Sequence, residues 1–278
     1  MSDLKNILGL LEENRGFDFS GYRASMLNRR IQKRIFATHT TNLVEYKEYL
    51  EQDKSELDKL IDVLTINVSR FFRDAFVFEY FTNKILQKLI LEKKHSNDRS
   101  LRVWSTGCAS GEEPYSIAIL IKEIFEKEKL SLKTTIIATD IDKKIIKSAK
   151  EGIYSTDRIE NVKYSILKKY FVSQDDTFKL KSEIKDMVSF SEFDLLNKKY
   201  NVPPDSIYGD FDIVLCRNLL IYYNTDYQDI IYNKLFNSLS NNGILFLGEA
   251  EIPPNKFKNK FNRISKFSKI YKKRMTCK

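Results

Sequence analysis

Two patterns of hydrophobic spacing divide the chain. Up to about residue 95, apolar residues recur every three or four positions, the repeat of helices that bury one face. The stretch LKNILGLLEENRG ends at Gly16, a residue suited to the left-handed position that closes a helix. A second helix is predicted from Ser20, as its N-cap, to about Thr38, with an apolar stripe of Ala24, Leu27, Ile31 and Ile35. Asn42 and Asp53 are placed to cap two more, NLVEYKEYLEQ and KSELDKLIDVLT. The loop INVSRFFR then precedes a long helix, DAFVFEYFTNKILQKLILEKK.

After Arg99 short apolar runs alternate with helical spacing. LRVWST, TTIIATD, FDIVLCRN and NNGILFLGEA read as strands; YSIAILIKEIFEKE, KKIIKSAKEG and DYQDIIYNKLFNSLS read as helices. Such alternation predicts βαβ units and a parallel sheet with both faces covered, which is why these strands are continuous apolar runs. A helix, NVKYSILKKY, leads into residues 171–193, predicted as two or three short antiparallel strands ending in a parallel strand near Val188–Phe193. A last hairpin is expected around Phe261–Lys273. The expected class is therefore α/β: an all-α domain over residues 1–75, then a Rossmann-like doubly wound sheet over 76–278 with a small antiparallel β subdomain at about 171–190.

Composition narrows the chemistry. Hydrophobic residues make up 42% of the 278, enough for a core, so wholesale disorder is excluded. No apolar run approaches the ~20 residues of a membrane span, and the acidic N-terminus lacks a signal-peptide core, so a cytoplasmic protein is expected. Cys108, Cys216 and Cys277 form no CxxC pair, which argues against a disulfide framework or thiolate zinc site. The only histidines, His39 and His95, sit at the ends of charged helical stretches. No metal is expected, and a histidine triad is close to excluded; catalysis falls to Asp, Glu, Arg, Tyr or Asn, or to a cofactor. Net charge is +9, but ten of the 47 Lys and Arg lie in residues 252–278, which hold no acid. The high pI is thus largely a property of the tail.

In a doubly wound sheet, ligands bind beyond the carboxyl ends of the strands. After the first strand comes Ser105-Thr106-Gly107-Cys108-Ala109-Ser110-Gly111-Glu112-Glu113-Pro114, a small-residue turn opening a helix. The second strand ends at Asp140, an acid suited to a ribose diol. GxGxxG is absent, and Glu112 and Glu113 occupy ground where a pyrophosphate needs positive charge and free N–H groups. S-adenosylmethionine carries an ammonium, a sulfonium and a ribose but no phosphate, so a class I methyltransferase fits better than a nicotinamide enzyme. The bland alternative is a glycine loop that only turns the chain.

The segments TINVSRFFRD, VWSTGCASGEEPYSIAI, ATDID, IYS, FSEFDLLNKKYNVP and FDIVLCRNLLIYYN, in this order, resemble the CheR-type chemotaxis receptor methyltransferases over about residues 15–250. That resemblance implies an all-helical N-terminal domain and transfer of a methyl group from S-adenosylmethionine to receptor glutamate side chains. The products are γ-glutamyl methyl esters and S-adenosylhomocysteine. By resemblance, Asn67, Ser69, Arg73, Glu113, Asp140, Asp194, Leu195, Arg217 and Asn218 contact the cofactor, with Arg73 and Tyr222 nearest the transferred methyl. Asp194 stands where some relatives have Asn, and Ser69 where some have Thr. Asp175-Asp176 stand where a Gly-rich turn is expected in the β subdomain, which in some members grips a peptide tether of the receptor.

The implied chemistry explains the missing histidines. A glutamate is ionised at neutral pH, so no base has to remove a proton. The site must align oxygen and methyl and exclude water. Partners are expected to be the cytoplasmic helical domains of methyl-accepting receptors, met by Arg23, Arg29, Arg30, Lys33 and Arg34 on the second helix, which no acid on that helix offsets. Nucleic acid is not expected: amino-methyltransferases carry (Asn/Asp)-Pro-Pro-aromatic, whereas the matching strand end here reads Cys216-Arg217-Asn218-Leu219. The membrane is approached only through the receptor, and a monomer is expected. A non-catalytic sensor of S-adenosylmethionine is the remaining alternative.

Overall fold

In the computed structural model, residues 2–65, 68–95, 99–197, 199–206 and 208–274 are described. The helical N-terminal part holds α1 (Ser2–Arg15), α2 (Ala24–Ala37), α3 (Leu43–Gln52) and α4 (Lys54–Leu64). Gly16 follows α1 with a left-handed φ of 75°. Asn42 caps α3 by accepting from the Val44 and Glu45 N–H groups, and Asp53 caps α4 by accepting from Ser55. The helix predicted from Ser20 begins instead at Ala24. Tyr22 pairs with Tyr223 in an antiparallel bridge and Arg23 N–H donates to the Tyr222 carbonyl, so these two residues stay out of the helix. The buried stripe of α2 is Met26, Leu27, Ile31 and Ile35, with Ala24 exposed.

The rest begins with α5 (Ala75–Phe81), a π turn (Thr82–Leu86) and α6 (Gln87–Lys94), the long helix of the sequence with a wider turn inside it. Then come β1 (Ser100–Thr106), α7 (Glu112–Lys127), β2 (Lys133–Asp140), α8 (Lys143–Glu151) and β3 (Ile153–Ser155). These are followed by α9 (Tyr164–Tyr170), β4 (Phe171–Gln174), β5 (Thr177–Leu180), α10 (Ser182–Lys185) and β6 (Val188–Glu192). The chain ends through β7 (Phe211–Cys216), α11 (Thr225–Ser238), β8 (Leu239–Leu247), β9 (Phe261–Arg263) and β10 (Ile270–Lys273).

Seven of these strands form one sheet in the order β6-β2-β1-β7-β8-β10-β9. The first five are mutually parallel, and β10 pairs antiparallel with both β8 and β9. The chain runs outward from β1 through β2 to β6, then returns to β7 on the other side of β1. That reversal is the switch point where a doubly wound sheet opens a crevice beyond its strand ends. Trp104 and Phe211 pack in the sheet, and the Trp104 indole N–H donates to Thr139 Oγ1 at 3.0 Å. Cys108 and Cys216 are buried, and burial pushes both thiols up, which leaves them small inert core residues.

A second, three-stranded antiparallel sheet has the order β3-β5-β4. Its third strand comes from Ile153–Ser155, upstream of the 171–193 stretch from which the sequence pattern drew it. Asp175, at the β4–β5 turn, takes a left-handed φ of 49°, a backbone state that Asp tolerates in place of glycine.

By internal packing the chain forms two compact units. One comprises Met1–Asn67 together with Ile221–Gln228; the other comprises Val68–Leu220 and Asp229–Lys278. No helix among the described residues is long and apolar enough to cross a membrane.

Candidate functional site

The β1–α7 turn is built by left-handed backbone: φ is 61° at Gly107, 47° at Ala109 and 92° at Gly111. A Cβ at Gly111 would press on Ala149, Phe190 and Tyr115 at 3.1–3.2 Å, so the turn needs glycine for space as well as for φ. Asp140 locks this turn to the end of β2. Its Oδ2 accepts the Ala109 N–H at 2.9 Å and its Oδ1 accepts the Asp142 N–H at 3.1 Å. Burial raises the Asp140 carboxyl, and the backbone donors oppose that rise. A carboxylate has about four acceptor sites, so lone pairs remain beyond these backbone bonds, which suits a diol.

Glu112 and Glu113 open α7 and face different partners. Glu112 is fully buried; both its oxygens lie 2.8 Å from Ser110 Oγ, and Oε1 accepts from Arg158 Nη1 at 3.1 Å. The carboxylate suggested by the sequence for a cationic ligand is therefore matched by a cation of the chain itself. Glu113 accepts from Ser105 Oγ at 2.8 Å and meets Arg217 Nη1 at 3.4 Å. Burial raises both glutamates, against the pull of Arg217 and Ser105 on Glu113 and of Ser110 and Arg158 on Glu112.

Arg217, just past the end of β7, organises the next layer. Its Nη2 donates to Asp74 Oδ2 at 2.7 Å and to the Arg73 carbonyl at 3.2 Å. Its guanidinium lies between the Phe78 and Phe246 rings, 4.9 and 4.8 Å from their centroids. Its Nε is a buried donor with no partner among the described residues. Among the described residues the Arg73 guanidinium makes one long bond, to the Val68 carbonyl at 3.4 Å, and Asp74 pairs with Arg217 rather than with Arg73. Ser69 offers its carbonyl to Arg158 Nη1 at 2.8 Å. Phe72 and Asp74 carry left-handed φ values of 50° and 63°, a state that Asp tolerates but that strains a bulky residue such as Phe.

The remaining residues of the strand ends are also in place. Phe193 N–H donates to the Asp140 carbonyl at 2.9 Å, which sets Asp194 and Leu195 beyond β6 beside the end of β2. Asp194 Oδ1 accepts the Leu196 N–H at 2.8 Å, and Leu195 is buried. Asn218 takes a left-handed φ of 58° and donates its N–H to Glu251 Oε2 at 3.0 Å. Glu251 has no counterpart in the sequence reading. Its buried carboxylate gathers N–H groups from Asn218, Leu219, Leu220 and Gly248 at 2.7–3.0 Å and so ties the β7 loop to the β8 loop. Burial raises it, and those four donors oppose the rise. A Cβ on Gly248 would stand 2.7 Å from the Asn218 nitrogen. The sequence signal available was an acid three residues after a strand-end glycine, which by itself points nowhere.

Ser69, Arg73, Glu113, Asp140, Asp194, Leu195, Arg217 and Asn218 thus belong to one compact unit and line its strand ends and the loop before α5. Asn67 lies outside the described residues. Tyr222 falls in the helical unit, where its carbonyl accepts the Arg23 N–H at 2.9 Å. In that unit Arg23, Arg29 and Lys33 are exposed. Arg34 instead grips the buried Glu56 with two bonds, 2.7 and 2.8 Å, so an acid from α4 does offset the basic face. Arg30 is half-buried, donates to the Val63 carbonyl, and is lowered by that burial.

The donor set fits S-adenosylmethionine. Fixed carboxylates at Glu113 and Asp140 offer acceptors for an ammonium and a ribose diol, and the β1–α7 turn closes on acids rather than on donors for a phosphate. Comparison with known proteins points the same way. A family profile described as "CheR methyltransferase, SAM binding domain" matches residues 67–270, and one described as "CheR methyltransferase, all-alpha domain" matches residues 2–65. The chain is 34% identical to a chemotaxis protein methyltransferase of Borreliella burgdorferi, over 90% of this chain and 87% of that one. A protein of the same name from Listeria innocua is 31% identical over 87% of each chain. The Escherichia coli one is 28% identical over 89% of this chain and 83% of that one.

Proposed function

The chain belongs to the CheR methyltransferase family, a methyltransferase of chemotaxis that uses S-adenosylmethionine, and from that premise we propose that it esterifies glutamate side chains of chemotaxis receptors. The product is a γ-glutamyl methyl ester. The observation that carries the acceptor is the state of the strand-end corner. Glu112, Glu113, Asp140 and Glu251 are each already held by fixed donors, and neither histidine lies among them. A corner so arranged suits a nucleophile that arrives ionised.

In this reading Ser69, Arg73, Glu113, Asp140, Asp194, Leu195, Arg217 and Asn218, with Asn67, hold the cofactor. When bound, S-adenosylmethionine supplies an electrophilic methyl on a positively charged sulfur. Asp140 takes the ribose hydroxyls and Glu113 the amino-acid end. Arg217, stacked between Phe78 and Phe246, fixes Glu113 and Asp74 while its ring neighbours exclude water. Arg73 has guanidinium donors beyond its one long bond, and it orients the incoming glutamate through them. The attacking carboxylate loses charge as its oxygen bonds carbon, so a loose hold serves better than a tight one. Tyr222 fixes the methyl donor or the attacking oxygen. The receptor is met as an acidic helical segment by the exposed Arg23, Arg29 and Lys33, with a monomer as the working unit and no role for nucleic acid.

The test is transfer of labelled methyl to receptor-containing membranes from the same source, then mild alkali. Label released as volatile methanol is the expected result. Label that resists alkali overturns the glutamate reading, and an Arg73→Lys enzyme of full activity overturns the orienting role of Arg73.

A further inference from the structure

Resting on the reading that the loop before α5 contacts the cofactor, we infer that Arg158 is a positioning residue that clamps this loop to the first turn of α7. The loop and Arg158 exchange bonds in both directions. Arg158 Nη1 donates to the Ser69 carbonyl at 2.8 Å, and the Arg158 carbonyl accepts the Phe71 N–H at 3.1 Å. The same Nη1 reaches Glu112 Oε1 at 3.1 Å, so one nitrogen bridges the loop and the start of α7. Phe72 N–H adds a further tie to α7 through Ser116 Oγ at 3.0 Å.

The surroundings make the clamp stiff. The Tyr154 O–H donates to the Ser110 carbonyl at 2.9 Å, and its ring meets Phe71 edge-on at 4.8 Å. Phe171 packs on Phe71 at 5.3 Å. Glu112, fully buried, holds its carboxylate on Ser110 and Arg158. The loop needs such support, because Phe72 sits in left-handed backbone that a bulky side chain does not adopt unaided. Arg217 pins the far end of the loop, at Arg73 and Asp74, to Glu113. The two adjacent glutamates of α7 therefore each take one arginine, and each arginine holds one end of the same loop.

A merely charge-balancing Arg158 would be replaceable by lysine. A clamp would not, because a lysine Nζ ends one bond short of the Nη1 that here meets both the Ser69 carbonyl and Glu112. The experiment compares wild type, Arg158→Lys, Glu112→Gln and the Glu112→Gln/Arg158→Gln double variant. S-adenosylmethionine affinity is measured by calorimetry, thermal melting by circular dichroism, and amide exchange at Phe71 and Phe72 without cofactor. For Arg158→Lys the expected result is an unchanged fold, about tenfold weaker cofactor binding, and exchange at both amides faster by about tenfold. Wild-type exchange in Arg158→Lys overturns the clamp whatever the cofactor does. Recovery of wild-type affinity in the double variant also overturns it, in favour of charge balance. Faster exchange with unaltered affinity leaves the clamp standing and locates the failure in the reading that this loop contacts the cofactor.

Discussion

Glu56 in the helical unit and Glu113 in the sheet unit each meet an arginine, in different settings. In the helical unit, Glu56 takes two short bonds from Arg34 and one from the Tyr46 hydroxyl at 2.9 Å. Burial beside that carboxylate pushes the Tyr46 hydroxyl well above its ordinary range. In the sheet unit, Glu113 has one short bond from Ser105 and a long one, 3.4 Å, from Arg217, which itself divides its donors among Glu113, Asp74 and a backbone carbonyl. The better-made pair is the structural one. What sets the other apart is its longer, shared bonding and its place past the strand ends, beside an arginine nitrogen with no partner among the described residues. A closed pair stabilises the fold; an open one at a crevice holds capacity for a ligand.

The comparison breaks most visibly at Glu56. Glu56→Ala leaves Arg34 and Tyr46 without their shared acceptor, and a loss of about 3 kcal/mol is expected, the low end for a broken buried pair because Arg34 keeps some solvent. Chemical denaturation reads it, and cofactor affinity per folded molecule should be unaltered. A loss under about 1 kcal/mol would show that the closed pair is no more than a surface bridge. Glu113→Gln should do the reverse. Its unfolding free energy should move by less than about 1 kcal/mol, since neutralising a buried carboxyl relieves desolvation, while S-adenosylmethionine binds about 10- to 100-fold more weakly for the loss of a charge-assisted bond. Equal binding by the variant would remove Glu113 from the site.

The strands, their parallel order and the Asn42 and Asp53 caps were readable because each follows from local rules: apolar runs, flanking helices, side-chain acceptors at helix starts. Long-range pairing was not. The start of α2 shifted because Tyr22 finds Tyr223, some two hundred residues away, and no local pattern announces such a partner. The third strand of the small sheet is three residues long, below what periodicity can register. At the site, the GEEP and RN segments were visible as chemistry. Their division of labour was not, since Glu112 meeting Arg158 and Glu113 meeting Arg217 depends on which face of α7 each one takes. Arg34 looked like part of a binding face for the same reason: its partner lies on another helix.

Proton linkage sharpens the contrast without a mutation. Glu113 and Asp140 both have folded-state carboxyl pKa values raised by burial. In the window from about pH 4 up to those raised values, the folded state holds more protons than the unfolded one. The contribution of these groups to stability is therefore fully present below that window and falls as pH rises through it. Cofactor affinity has the opposite sign, because the ammonium and ribose are held by ionised acceptors. Melting of the cofactor-free protein and calorimetric affinity, measured across mildly acidic pH, should thus trend in opposite directions, with binding releasing protons there. Affinity flat across that range would mean that neither carboxyl faces the ligand.

The smallest effect is expected on the surface of α2. Arg34 and Arg30 are engaged inside the helical unit, and the exposed Arg23 donates its Nε to the Tyr223 carbonyl at 3.1 Å, so Arg29 and Lys33 are the exposed charges of the basic face to test. Charges on a solvated surface act over about a Debye length, ~10 Å at 0.1 M salt, and chiefly alter the encounter rate. Arg29→Glu with Lys33→Glu should lower receptor methylation a few-fold at low salt, about as much as steering by two charges supplies, and the deficit should shrink as salt is raised. Cofactor affinity and melting should match wild type, since both side chains are exposed and neither has a hydrogen bond or ion pair to lose among the described residues. Arg34→Glu is the control that separates the two meanings of a basic residue here. It sets a second acid against the buried Glu56, so its loss of methylation should come with a loss of stability and should not be repaired by salt. If the Arg29 and Lys33 reversals instead leave methylation unchanged at every ionic strength, the basic face of α2 is a solvated surface and the receptor is met elsewhere.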